Sequence, residues 1–263
     1  MISWKPDVLI AALLLSAGIC VISYLYQRCI LTAIVRAVVK SEPDSVGAMF
    51  AIAKFVFSKV LRAPDPVFLF SLFRPLGASP LAVLRRGGCC SGVHRLFIAC
   101  LDVIGIRAAQ VTLYHPSGKA LHCVAQVSVQ GRVLVIDVDY GVVFEHPNKG
   151  TLGLTQLREG IEPTIRVFAD GLAAPTLDEP CDRIPGYRGK YHTFNFKETR
   201  TVGWTSSWVR RKAYLALKFI TNGRIDCVLL PPLLEWPQII LALLVSSAAL
   251  LILISQAALM FVG

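Results

Sequence analysis

The chain has 263 residues, 54% of them hydrophobic, with 27 Lys and Arg against 17 Asp and Glu and a formal charge of +10. That is more apolar than an ordinary soluble domain, and the excess lies at the two ends. The basic balance comes with no RNP, zinc-finger or helix-turn-helix signature, so no nucleic-acid partner is expected, and anionic lipid heads are the expected counterpart.

In chain order, "VLIAALLLSAGICVISYLY" from Val8 to Tyr26 carries no charge and is long enough to cross roughly 30 Å of hydrocarbon as a helix. Lys5 is offset by Asp7 and no A-x-A site follows, which favours an uncleaved anchor over a signal peptide. From Ile30 to Arg62 the pattern is helical, broken by "SEPD" at Ser41 to Asp44. "RAPDP", residues 62 to 66, reads as a turn.

Next comes "LRRGGCCSGVHRLF". From Cys90 the apolar residues Val93, Leu96, Phe97, Cys100, Leu101 and Ile104 recur at helical spacing, and Gly105 is a natural C-cap. "AAQVTLYH" predicts a strand, "PSGK" a turn, and "LHCVAQVSV" and "RVLVIDV" a hairpin about "QG". Helix followed by three strands predicts an α+β domain with an antiparallel sheet packed on one helix. Beyond Phe168 the Pro- and Gly-rich run reads as loop, then Trp204 to Ile220 as a helix. "LLPPLLEWP" breaks the chain before an uncharged 27-residue second span, Pro237 to Gly263.

Arg28, Arg36 and Lys40 follow the first span, and Lys218 and Arg224 precede the second. The positive-inside rule then places the middle of the chain in the cytoplasm. The eight cysteines show no extracellular framework spacing, which fits a reducing compartment. The expected organisation is an anchor over 1–27, a helical membrane-proximal segment over 28–84, a catalytic core over 85–170, a loop-rich region and helix over 171–236, and a second membrane helix over 237–263.

Three residue types needed for nucleophilic catalysis occur in order. Cys90 opens a helix, whose free amides and partial positive charge favour a thiolate. His122 begins a strand and is placed to take the thiol proton. Asp137 lies on the paired strand, where a carboxylate can hold the far ring nitrogen. His122 and Asp137 stand at comparable distances from the Gln130–Gly131 turn, within the reach of diagonal pairing. Asp139 shares the face of Asp137 and is the alternative acid. Cys89 is read as structural or as a support beside the site, Cys100 and Cys123 as core, and His94 as a surface or helix-packing residue. Adjacent cysteines are poor tetrahedral ligands, and no C-x-x-C or H-x-x-x-H spacing occurs, so neither a metal nor another cofactor is expected.

At these positions the sequence resembles transglutaminase-like proteins of the papain-like cysteine superfamily. The matching pieces are "GGCCSGVHRLFIACLDVIGIRAAQV", "HCVAQVSVQGRVLVID" and "VDYG", between Arg85 and Phe144. The resemblance implies that Cys90 rather than Cys89 is the nucleophile, His122 the base and Asp137 the orienting acid. It further implies acyl transfer or amide hydrolysis on a protein or peptide substrate. Two positions depart from the family pattern. Val124 stands where an aromatic often follows the histidine, and Ser91 where an acidic residue often follows the cysteine. Arylamine N-acetyltransferases are a sister match through "RGGCC", although they carry "DGR" where this chain has "QGR", and acidic and amide residues where it has Ser91 and Gly92. A catalytically silent scaffold among membrane-complex partners is the reading from another class.

Overall fold

The computed structural model describes residues 6–42, 44–64, 66, 78–117, 120–161, 164–168, 196–198, 208–222 and 235–262. The "LLPPLL" break, Cys181, Cys227 and most of the Pro- and Gly-rich loop lie outside the described residues. The described elements form an α+β arrangement: helices packed on an antiparallel sheet, with a long apolar helix at each end.

Helix α1 runs without interruption over Pro6–Val38, and α7 over Pro237–Val262. Both are long and apolar enough to cross a membrane. They lie side by side through small residues: Ala17 and Cys20 of α1 are buried against Ala242 of α7. Such side chains let helix backbones approach closely. Tyr24 meets Trp236 edge to face at 5.2 Å, just before α7 begins. Tyr24 thus neighbours the start of α7 and Ala17 a later turn, so the helices run antiparallel. The C-terminal end of α1 and the N-terminal end of α7 therefore face the same way.

The expected boundary at residue 27 falls inside a continuous helix. The last third of α1 leaves the apolar run and becomes part of the folded core. Leu31 and Val35 are fully buried there, and Arg28 pairs with Asp102 of α4 at 3.1 Å. Helix α2, Ser45–Lys59, begins where Asp44 accepts the Gly47 amide at 2.6 Å, an N-cap that satisfies one of the first-turn donors. Its residues Met49, Ile52, Ala53 and Val56 join the same core. Short α3, Pro80–Arg86, carries Ser79 as its cap and Pro at its first position.

Helix α4, Cys90–Val103, is the core's centrepiece. Val93, Leu96, Phe97, Cys100 and Leu101 are buried, as their spacing predicts. Gly105, at φ 76°, ends it: Ile106 N–H reaches back to the Leu101 carbonyl at 3.0 Å and Gly105 N–H to Asp102 at 3.1 Å. Strands β1 (Arg107–Tyr114), β2 (Ala120–Val129), β3 (Arg132–Asp137), β4 (Val142–His146) and β5 (Gly150–Thr151) follow in spatial order, and β6 (Thr164–Val167) pairs with β4. Gln130 and Gly131 both take positive φ, 49° and 72°, which is the two-residue turn that matches strand twist. One sheet face, with Ala125, Val127, Leu134 and Ile136, packs on α4. The other, with Val111, Val124, Val135 and Phe144, is closed by α5, Leu154–Arg158, through Leu154 and Leu157.

The Gly-Gly pair before α4 has a specific use. Gly87 has φ 86°, and a Cβ there would overlap the Leu61 carbonyl oxygen. Gly88 N–H donates to that carbonyl at 3.0 Å, and Ala63 N–H to Gly88 at 3.3 Å. Only a residue without a side chain permits this approach, and it holds Arg62 beside Gly88, two residues before the start of α4. Gly105 also has positive φ but opens onto empty space. Replacing Gly105→Ala is therefore expected to cost about 1 kcal/mol, the backbone penalty alone. Gly87→Ala adds a backbone clash and should lower the unfolding midpoint further. Thermal melts of the two variants in the same detergent check this, and equal midpoints would contradict the packing described.

Candidate active site

The β2–β3 register pairs Ala125 with Ile136 and Gln126 with Val135. Continued, it sets His122 opposite residue 139 and diagonal to Asp137 on the same face. That diagonal is bridged: His122 Nε2 lies 2.6 Å from Asp137 Oδ2, and both side chains are buried. The other carboxylate oxygen, Oδ1, accepts the backbone amides of Asp139 at 3.0 Å and Tyr140 at 3.1 Å. The tight turn after β3 thus wraps the carboxylate with donors, leaving none of its charge unmet. Tyr140 packs on the His122 ring at 5.2 Å between centroids.

Cys90, half-buried, is the first residue of α4, and its thiol and the His122 ring perturb each other's ionisation across the cleft they both line. With Nε2 committed to Asp137, Nδ1 is the ring nitrogen left for the sulfur. The structure therefore brings Cys90, His122 and Asp137 together in that order. They stand at one end of a cleft of about 370 Å³, lined also by Cys89, Arg62, Leu121, Asp139 and Tyr140.

The electrostatics differ in one respect from what the sequence leads one to expect. Burial disfavours charge on His122, but Asp137 outweighs it and, with Cys90, pushes the imidazole up to about 10. A helix N-terminus alone would lower the Cys90 thiol, yet that thiol is raised from its ordinary value. Its hydrogen bond to Cys123 is the largest cause, and Cys89 and His122 pull the other way. Cys123 is thus half-buried beside Cys90 rather than a core residue. Cys89 is exposed and contacts Ser91 at 3.6 Å.

Two neighbours were not legible as site residues. His94 is completely buried. Its Nδ1 lies 2.7 Å from the Cys90 carbonyl, and its Nε2 accepts the Val138 amide at 3.1 Å. A carbonyl partner requires a proton on Nδ1, and an amide partner requires a lone pair on Nε2, so the ring is neutral. Its 3.5 Å approach to Asp137 is then no ion pair. Burial, the largest effect, holds the His94 pKa below its ordinary value, consistent with that neutral form. His94 thus joins the first turn of α4 to the turn that carries Asp137. Arg62 is the second neighbour. Its guanidinium grips both carboxylate oxygens of Asp139 and lies 4.3 Å above the Tyr140 ring. Asp139 is therefore the partner of Arg62, not of His122. Among the described residues, no three His, Cys, Asp or Glu side chains converge in a way that could hold a metal ion.

No protein-family model matches the chain, and no curated protein sequence matches it. Among solved structures it is similar to the crystal structure of a proposed protease from Parabacteroides distasonis ATCC 8503, with 14% identity and a TM-score of 0.35. The match covers 49% of this chain and 26% of that one, so the chain spans about a quarter of that protein's length.

The two histidines impose opposite pH limits on stability. His122, raised from 6.5 to about 10, contributes stability that is fully present below pH 6.5 and lost as pH rises toward 10. His94, lowered from 6.5, refuses a proton that the unfolded chain accepts, so stability falls as pH drops below 6.5. The unfolding midpoint should peak near pH 6.5. His94→Gln should flatten the acid limb and Asp137→Asn the alkaline limb. Melts from pH 5 to 10 read both slopes, and parallel curves for all three proteins would contradict the assignment.

Proposed function

We propose that this protein is a membrane-anchored, transglutaminase-like cysteine enzyme that catalyses acyl transfer or amide hydrolysis. One observation carries the reading: a buried His122–Asp137 hydrogen bond of 2.6 Å stands beside a helix-initial Cys90 at the wall of an open cleft. A buried structural cysteine has no need of an oriented imidazole, and a buried ion pair has no need of a thiol beside the ring.

In the proposed reaction the neutral form of His122, which gains population as pH rises toward 10, takes the thiol proton on Nδ1 while Cys90 Sγ attacks the carbonyl carbon of an amide or ester. Asp137 stays ionised and holds the imidazolium against Oδ2. First-turn amides of α4 lack intrahelical partners and supply donors where negative charge develops on the substrate oxygen. His122 returns the proton to the leaving amine or alcohol, and the thioester passes its acyl group to water or to an amine, which restores the Cys90 thiol. The acceptor decides between hydrolase and transferase. The Arg62–Tyr140 stack forms one wall of the cleft, and we assign it to substrate contact beside Cys90.

The anchors are proposed to be α1 and α7, with the cleft on the cytoplasmic side by the charge of the flanking segments. Their antiparallel packing brings both domain attachments to one side, as two spans with one domain between them require.

The test uses the full chain in detergent with an activated ester, p-nitrophenyl acetate, and locates acyl adducts by mass spectrometry. Acylation at Cys90 is expected, abolished in Cys90→Ala. It should slow by roughly 10³-fold in His122→Ala and by a similar order in Asp137→Asn. Acylation confined to Cys89, or rates unchanged in the two variants, would overturn the reading. Acetyl transfer from acetyl-CoA to Cys90 would move the acetyltransferase-like alternative ahead of the transglutaminase-like one.

A further inference from the structure

Helix α6, Trp208–Ile220, reads "WVRRKAYLALKFI" and contains Arg210, Arg211, Lys212 and Lys218 with no acidic residue. Placed at the α-helical spacing of about 100° per residue, its apolar positions fill one continuous arc of roughly 200°. Trp208, Leu215 and Phe219 lie toward one side of that arc, and Val209, Leu217 and Ile220 toward the other. Arg210, Arg211, Tyr214 and Lys218 occupy the remaining arc. Lys212 alone falls within the apolar arc, and a lysine's four-carbon stem allows its ammonium to reach outward from there.

A helix of a soluble domain turns its apolar arc to the core. Here the described apolar residues stand open instead: Leu215 is 54%, Leu217 36%, Phe219 89% and Ile220 76% exposed. Leaving such side chains in water forfeits roughly 1.5–3 kcal/mol each relative to burial. At 13 residues the helix is about 20 Å long, too short to cross a bilayer. It precedes α7, whose N-terminal end faces the core.

We propose that α6 lies flat in the headgroup layer of the membrane that α7 crosses. Its apolar arc enters the acyl boundary and its basic arc rests on anionic phospholipid heads. The charge selects the occupant: a helix with four cations and no anion is complementary to an anionic surface. The inference rests on α1 and α7 being membrane spans. It gives the catalytic domain an in-plane support, so that the cleft is held at a fixed height near the bilayer.

The experiment places the photocrosslinker p-benzoylphenylalanine at Phe219 in the full chain. The protein is reconstituted into lipid discs of phosphatidylcholine alone, or of phosphatidylcholine with phosphatidylglycerol. Irradiation and mass spectrometry then identify what position 219 touches. Lipid adducts are expected, several-fold more abundant in the anionic discs. The combined variant Arg210→Gln, Arg211→Gln, Lys212→Gln and Lys218→Gln should lose that increase while Cys90 acylation stays unchanged. Crosslinks to a second copy of the chain, crosslinks to its own core, or equal adduct yields in both lipids would overturn the proposal. A chain that does not enter discs at all would overturn it together with the membrane reading of α1 and α7, while Cys90 acylation tests the enzymatic reading separately.

Discussion

The Asp137 carboxylate is the constraint around which the rest of the site is arranged. It is fully buried, and a buried charge left without partners costs several kcal/mol. The fold meets that cost with His122 on one oxygen and two turn amides on the other. Each partner fixes something else. The amides set the path of the chain leaving β3. The imidazole, once anchored through Nε2, has only Nδ1 to offer, and the start of α4 presents Cys90 to it. His94 closes the circuit by joining the Cys90 carbonyl to the Val138 amide. Helix start, strand and turn are thereby locked in mutual register, which is what preorganised chemistry requires.

The same geometry links the site to the long helices. α1 does not stop at the end of its apolar run but continues into the core, where Leu31 and Val35 pack and Arg28 meets Asp102. Asp102 belongs to the last turns of α4, the helix whose first residue is Cys90. A rigid helix therefore connects the candidate span to the back of the helix that begins at Cys90. On the opposite side, the segment after α2 passes Gly87 at backbone contact and delivers Arg62 to the cleft. The helical segment before the core is thus a wall of the site as well as a connector.

What the sequence reveals and what it hides follow from the range of the interactions. The β2–β3 hairpin was legible because its turn and its alternation are local, and the His122–Asp137 diagonal then follows by counting. α4 was legible from Val93, Leu96 and Phe97 and from Gly105. His94 was not, because its buried role depends on Val138, 44 residues away. A histidine one turn into an amphipathic helix gives no local sign of that. Arg62 is paired with a residue 77 positions distant and sits in a stretch whose prolines announce only a turn. Cys123 lies in an apolar strand pattern, and only the packing of α4 on the sheet brings its sulfur to Cys90. The boundary at residue 27 was drawn from a change of composition, which a continuous helix need not respect.

The central claim is that Cys90 is governed by His122. Its most direct test is the pH dependence of alkylation at each cysteine, resolved by mass spectrometry, in the native chain and in His122→Ala. Cys89 and, after it, His122 lower the Cys90 thiol against the opposing pull of Cys123. The Cys90 titration is expected to move to higher pH in the variant. A Cys90 profile indifferent to His122, or a shift confined to Cys89, would contradict it.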